Sequence, residues 1–478
     1  MPYTPDVADS NAGASSCFVP SPPTWPHAVI TGSLVRERRQ IADIFERSVI
    51  ALTTMAMTLC RLLSIATLMV LAVAGCVAEP PPEPVKGPYL RGVNTMTFLW
   101  FEGYEDQAGN ESPASYEFLA RHGMATVRLP ISWERIQPQL GGELAPVEVA
   151  RLRTEIARAH QAGLGVIVDL HAGCRHRGPD GATKICGTGI SAEQFSDVWT
   201  RLSPVLRNDP GVVAYDIMNE PHDLVGDENG RADAEIWEEF SQAAVDALRG
   251  AGDRHRLMIE GVSWSNVDTF GTLHPTPWIT DPLDNVVYSA HQYFEQAGRY
   301  TVSGDDVPQW RYSFWAKRFE SDGTTGGRPF DEWNLQRLEH FVDWLAHHQV
   351  RGDIGEVGWP SHQEMVAAGI PAAEAADETR QWNSLADRWF AIADAAYLSV
   401  TYFAASGLQF IEFPGSPPGL PEANAVFVHS GGNGELRDAS GQLLLDANGD
   451  VQPRVVDTAN SQYDVLSKHL SRTDLPVD

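Results

Sequence analysis

Positive charge is what this chain has least of. Its 478 residues include 35 Lys and Arg against 63 Asp and Glu, a formal net charge of −28. Nucleic-acid binding relies on basic patches, so no nucleic acid is expected among its partners. Docking on anionic lipid through a polybasic surface is disfavoured for the same reason. Cysteine is scarce too. Cys17, Cys60, Cys76, Cys174 and Cys186 are the whole set, and with no CxxC pair a zinc ribbon or thioredoxin-like site is not expected. No apolar run is long enough for a comfortable transmembrane helix. No glycine-rich phosphate loop follows the first strand pattern, which argues against a dinucleotide fold. The segment Asp446-Ala447-Asn448-Gly449-Asp450 lacks a calcium loop's spacing to a terminal Glu and reads as a solvated turn.

What is present has an ordinary globular balance, 43% hydrophobic and 9% aromatic, with 14 Trp. Residues 1–54 differ from the rest, with Ser/Pro/Gly-rich stretches and the cluster Arg36, Arg38 and Arg39. They read as an upstream extension outside the mature protein, with Met55 or Met57 as the start. Residues 55–76 carry Arg61, an apolar run from Leu62 to Ala74, and Gly75-Cys76. A basic residue, a short apolar core and a small-residue exit form an export signal. Val73-Ala74-Gly75-Cys76 resembles a bacterial lipobox, in which Cys76 is lipidated. A buried apolar helix or a plain signal anchor is the alternative. Residues 77–86 form a Pro-rich linker. The expectation is an exported monomer, secreted or held at the cell surface, touching a membrane only through a lipid anchor.

From residue 87 to residue 475, short apolar strands alternate with amphipathic helices, the signature of a parallel sheet. The eight strand candidates are Leu90–Asn94, Ala125–Leu129, Gly165–Leu170, Val212–Met218, Arg256–Glu260, Asn285–Ala290, Arg351–Gly355 and Ser399–Ala404. Helical patterns cover Pro113–His122, Pro146–Ala162, Ala192–Leu206, Glu235–Gly250, Asp331–His348 and Gln381–Asp394, and Tyr463–Ser471 reads as a closing helix. Eight such units predict an α/β fold, the (β/α)8 TIM barrel. A doubly wound open sheet is the runner-up.

In such a barrel the carboxyl ends of all strands converge on one face. The fourth strand pattern stops at Asn219-Glu220-Pro221, because Pro221 cannot donate to a sheet and keeps Glu220 out of helical geometry. Other ends offer Arg128, His171, Trp264, His291-Gln292-Tyr293, Gly355-Glu356-Val357-Gly358 and Tyr402-Phe403. Each alone has a bland explanation: a surface ion pair, a structural histidine, a solvated carboxylate. Together, Glu220 and Glu356 would face each other across the barrel mouth, the layout for glycoside hydrolysis by two carboxyl groups. Arg128 and the Tyr293 hydroxyl would keep Glu356 ionised as a nucleophile. Glu220, with no such partner expected, would serve as acid and then base. Asn219 would bond the sugar 2-hydroxyl, and His171 and His291 would position hydroxyls and the acid. Trp133, Trp264, Trp359 and Phe403 are candidate sugar platforms, with core packing as the alternative for each Trp. Cys174 and Cys186, in one loop of an exported domain, read as a disulfide; a metal site with His176 is the alternative. The nearby Arg175, Arg177 and Lys184 read as an offset to the acidic surface.

The ordered set Arg128, His171, Asn219-Glu220-Pro221, His291-Gln292-Tyr293 and Gly355-Glu356-Val357-Gly358 resembles glycoside hydrolase family 5. Ile131-Ser132-Trp133-Glu134-Arg135-Ile136-Gln137-Pro138 and Pro221-His222-Asp223 are similar to its endoglucanase branch. The resemblance implies a retaining (β/α)8 enzyme, Glu220 as acid/base, Glu356 as nucleophile and no cofactor or metal. It makes an endo-β-1,4-glucanase acting on a polysaccharide the expected function. A β-mannanase, β-1,3-glucanase or glycosylceramide-cleaving glycosidase, or a non-catalytic glycan-binding barrel, are the alternatives. Two positions depart from the family pattern: Phe403 stands where a Trp floor is common, and Ala172 where Asn often follows the third-strand His.

Overall fold

In the computed structural model, the described residues are 82–96, 111–224, 231–294, 328–367, 371–405, 425–429 and 455–475, with Met55 and the pairs 301–302, 305–306 and 324–325 besides. The chain divides into units Met1–Pro80 and Pro81–Asp478. All of residues 1–54 and the lipobox with Cys76 lie outside the described residues, as does the turn at 446–450.

The eight barrel strands are β1 (Arg91–Thr95), β2 (Thr126–Ile131), β3 (Gly165–Leu170), β4 (Val212–Asp216), β5 (Arg256–Glu260), β6 (Val286–Tyr293), β7 (Gly352–Gly358) and β8 (Ser399–Ala405). They pair in chain order and in parallel. β1 also pairs with β8, Arg91 opposite Val400, which closes the ring and removes the open doubly wound alternative. The fourth strand is shorter than its sequence pattern, ending at Asp216. The sixth runs longer, through His291 to Tyr293.

The helices between strands are α1 (Pro113–Arg121), α2 (Pro146–Gln161), α3 (Ala192–Leu206), α4 (Asp233–Gly250), α5 (Phe330–His348) and α6 (Ala372–Ala395). Their starts follow from local chemistry. Pro113 and Pro146 occupy first-turn positions where a missing N–H costs nothing. Ser191 and Gln194 form a reciprocal capping box at α3. α6 begins nine residues before the expected Gln381, and the closing helix shrinks to Tyr463–Leu466. No helix among the described residues is long and apolar enough to cross a membrane.

Strand alternation sets what fills the barrel. Ile167, Ala214, Met258 and Val287, on β3 to β6, pack into one apolar cluster. Two residues further along the first three of these strands come Asp169, Asp216 and Glu260, all fully buried. Because side chains on one face recur every second residue, an apolar floor is followed toward the strand ends by a polar layer. Large aromatics such as Trp199, Trp237 and Trp389 fill the space beneath the helices and are fully buried.

Candidate active site

Arg128 is the centre of the polar layer. Its side chain is completely buried, and a buried guanidinium needs partners for every donor. Nε and Nη2 donate to Asp216 Oδ2 at 3.0 and 2.8 Å. Nη1 donates to Asn94 Oδ1 at 2.9 Å and to Glu356 Oε1 at 3.0 Å, and lies 3.1 Å from Asp169 Oδ2. Nη2 also reaches Asn219 Oδ1 at 2.9 Å and Glu260 Oε1 at 3.0 Å. Burial alone would lower the pKa of Arg128, but Asp169, Asp216, Glu356 and Glu260 together hold it well above its ordinary value.

Glu356, on β7, receives that hydrogen bond on one oxygen and the Tyr293 hydroxyl on the other, at 2.5 Å. Burial pushes its pKa up, yet His291 and Arg128, aided by His171 and the Tyr293 hydrogen bond, pull it below the usual value. Gly355 makes room for the neighbouring ring: a Cβ there would sit 2.8 Å from His291 Nε2.

Glu220 stands at the end of the segment after β4, its backbone in the left-handed region at φ +46°. Expected to lack a partner of the kind Arg128 is to Glu356, it meets His291, the residue expected to position the acid. Its Oε1 lies 2.9 Å from His291 Nδ1, and its backbone N–H donates to Glu260 Oε2 at 2.7 Å. His291 Nε2 lies 3.1 Å from Glu260 Oε1. Burial would lower the His291 pKa, but Glu260, Glu356 and Glu220 raise it well above the ordinary value. Glu260 is itself raised by burial. Asn219 bridges Arg128, through its Oδ1, and His171 Nε2, 3.2 Å from its Nδ2. His171 Nδ1 contacts Asp169 Oδ2 at 2.8 Å.

The structure thus brings together Arg128, His171, Asn219, Glu220, His291, Tyr293 and Glu356. It adds Asn94, Asp169, Asp216 and Glu260, which were not singled out from sequence. Asn94 and Glu260 are terminal residues of their strand patterns and could have been found by the same strand-end rule.

The aromatic candidates divide sharply. Trp133 is fully buried, edge-on to His176, with its indole N–H on Gln137 Oε1 at 3.0 Å. Trp359 is 1% exposed, stacked on Phe294, with its N–H on Asn383 Oδ1. Neither presents a face to a sugar, so both are corrected to core residues. Trp264 is 46% exposed and stacks on His222 at 4.6 Å. Phe403 packs with Met96 and Ala404 and meets the Tyr293 ring edge-on at 5.8 Å.

Cys174 and Cys186 are joined in a disulfide. Their sulfurs are bonded to each other, and His176 Nε2 contacts Gln137 O at 2.8 Å, so these groups do not form a metal site. Single ligand atoms of Glu220, His291 and Glu356 lie within 4.8 Å of one another, a spacing open to an ion. The carboxylates around His291 raise its pKa well above the ordinary value, which works against its acting as a ligand. Two carboxyl groups at this separation, one held ionised, suit attack and proton transfer on opposite sides of one bond.

The family model described as cellulase (glycosyl hydrolase family 5) matches residues 83–408. The chain belongs to glycosyl hydrolase family 5. It is 30% identical over 232 residues to the manganese dependent endoglucanase Eg5A of Phanerodontia chrysosporium, covering 46% of this chain and 57% of that one. It is 27% identical over 208 residues to a mannan endo-1,4-beta-mannosidase of Streptomyces lividans, covering 43% and 46%. The chain spans about half the length of the curated relatives it matches. Among solved family 5 structures, Pseudomonas stutzeri endoglucanase Cel5A in complex with cellobiose shares the fold, with a TM-score of 0.55 at 24% identity over 82% of this chain and 95% of that one.

Proposed function

We propose that the protein is a retaining glycoside hydrolase that cleaves internal β-linkages of a polysaccharide, with β-1,4-glucan as its substrate. Glu356 attacks the anomeric carbon while Glu220 protonates the leaving oxygen. Glu220 then takes a proton from the water that breaks the glycosyl-enzyme bond. Asn219 bonds the sugar 2-hydroxyl, Arg128 and Tyr293 hold Glu356 ionised, and Trp264 and Phe403 contact sugar rings.

The observation that carries this reading is the carboxylate spacing. One oxygen of Glu220 and one of Glu356 lie within 4.8 Å of each other, an approach of the kind the shorter of the two carboxyl separations requires. Retaining glycosidases hold the two groups about 5–5.5 Å apart, whereas inverting ones need roughly 6.5–9.5 Å to admit a water. The kinship to endoglucanases favours glucan, and the mannosidase relative keeps β-mannan as the second reading.

Digestion of defined β-1,4-glucan, β-1,3-glucan and β-mannan oligosaccharides, followed by NMR of the first-formed anomer, tests both points. New reducing ends should appear in the β form and only with wild-type enzyme. Glu356→Ala with full activity, or α product, sinks the assignment. The reading includes export as a monomer with lipid on Cys76, supported by the Arg61 to Cys76 pattern. Labelled fatty acid incorporated by wild type and not by Cys76→Ser is the corresponding check.

A further inference from the structure

Glu260 is fully buried and closes β5 beneath the catalytic face. Its main chain is anchored from below, since the indole N–H of the buried Trp237 donates to its carbonyl at 2.6 Å. Its carboxylate meets donors on both oxygens. Oε2 accepts the backbone N–H of Glu220 at 2.7 Å, and Oε1 accepts Arg128 Nη2 at 3.0 Å and lies 3.1 Å from His291 Nε2.

The first contact matters because of where Glu220 sits. A φ of +46° is unfavourable for a residue with a Cβ and persists only where the surroundings impose it. Pro221 follows and brings no N–H, so the Glu220 amide is the donor available to fasten the turn on that side. The other fastenings are main-chain N–H bonds, Asn219 to Leu170 O and Gly173 to Asn219 O, and the contact of His222 Nδ1 with Glu220 O at 2.6 Å. The second contact matters because His291 reaches the Glu220 carboxyl group with its other nitrogen, Nδ1 to Oε1 at 2.9 Å. Nε2 lies 3.1 Å from the Glu260 carboxylate without a hydrogen-bonding geometry, so Glu260 acts on the ring through its charge while Nδ1 meets Glu220.

We propose that Glu260 is the positioning residue of the acid/base: it holds Glu220 directly by the main chain and, through His291, by the side chain. This rests on the assignment of Glu220 as the proton donor. A carboxylate that served only to balance Arg128 would not need to hold the Glu220 main chain and face His291 as well, and Arg128 has Asp169, Asp216 and Glu356 besides. Glu260→Gln keeps the volume but turns one acceptor into a donor, so either the Glu220 N–H or Arg128 Nη2 loses its acceptor, and the negative charge facing His291 is lost in both cases.

The test compares kcat/KM for phenyl and 2,4-dinitrophenyl β-glycosides of the disaccharide that the digestion panel releases. The phenolate leaving group needs a proton, whereas the dinitrophenolate leaves without one. For Glu260→Ala and Glu260→Gln the phenyl glycoside should lose on the order of 10²-fold, within the range of general acid catalysis, and the dinitrophenyl glycoside less than about fivefold. Equal losses on the two substrates, or no loss on either, overturn the proposal while wild type is active. Wild type inactive on both overturns the retaining-glycosidase reading and this proposal with it. Glu260→Gln provides the comparison should Glu260→Ala fail to fold.

Discussion

The hydroxyl of Tyr293 donates to Oε2 of Glu356 at 2.5 Å, so the carboxylate is held by a neutral donor on one oxygen and by Arg128 on the other. Both favour the ionised form. Glu356 is therefore poised to lose activity only as pH falls through a pKa lying below its ordinary value. Tyr293→Phe removes a donor to the charged state, so the acidic limb of kcat/KM should move to higher pH. A hydrogen bond to a charged group contributes about 1.5–3 kcal/mol, so kcat should fall roughly 10- to 100-fold with KM little changed. A pH–rate profile of the variant checks both.

Trp133 and Trp264 should respond in opposite ways. Trp133→Ala opens a cavity in a fully buried site and should cost about 3–5 kcal/mol of stability, read as a lower urea midpoint. Trp264→Ala removes a half-exposed ring beside His222 and should leave the midpoint within about 1 kcal/mol while raising KM for oligosaccharides several-fold.

Asp353, at the start of β7, shapes stability rather than activity. It is 6% exposed, and burial together with the charge of Asp216 raises its pKa to about 7. A carboxyl whose folded pKa is raised contributes stability below its unfolded value and loses it as pH rises through the folded one. Wild type should therefore weaken between about pH 4 and pH 7 through this group. Asp353→Asn should be more stable than wild type at pH 8, by on the order of 2–4 kcal/mol, with the gain vanishing near pH 4. Thermal melts of both proteins across that range decide it.

The Cys174–Cys186 bond closes a short loop, its ends 12 positions apart in the chain. Loop-closure entropy for that length is worth about 3 kcal/mol. Replacing both cysteines by Ser should lower Tm, and adding reductant should lower wild type toward the double variant.

Much of the fold was legible because its signals are local. Apolar strands alternating with amphipathic helices announce parallel β/α units, and Pro113, Pro146 and the Ser191 box mark helix starts by backbone chemistry alone. The strand-end rule led to Arg128, His171, Asn219, Glu220, His291 and Glu356 without any contact information. Glu260 was not legible in the same way, because nothing local separates a strand-closing Glu that ends up fully buried from a solvated one. The same rule named His291 at the sixth strand end, but which carboxyl group the ring would meet depends on the packing of β6 against the segment after β4.

By itself, then, the sequence determined the β/α repeat and the residue types delivered to one end of the barrel, because both depend on near neighbours in the chain. The tertiary structure alone decided that oxygens of Glu220 and Glu356 lie within 4.8 Å and that Glu260 meets both the Glu220 main chain and His291. It alone decided that Trp133 and Trp359 are core while Trp264 faces outward. Those outcomes depend on how the ring closes and on what packs against each indole. Residues far apart in the chain, 40 positions in the case of Glu220 and Glu260, set such distances, and no local pattern encodes them.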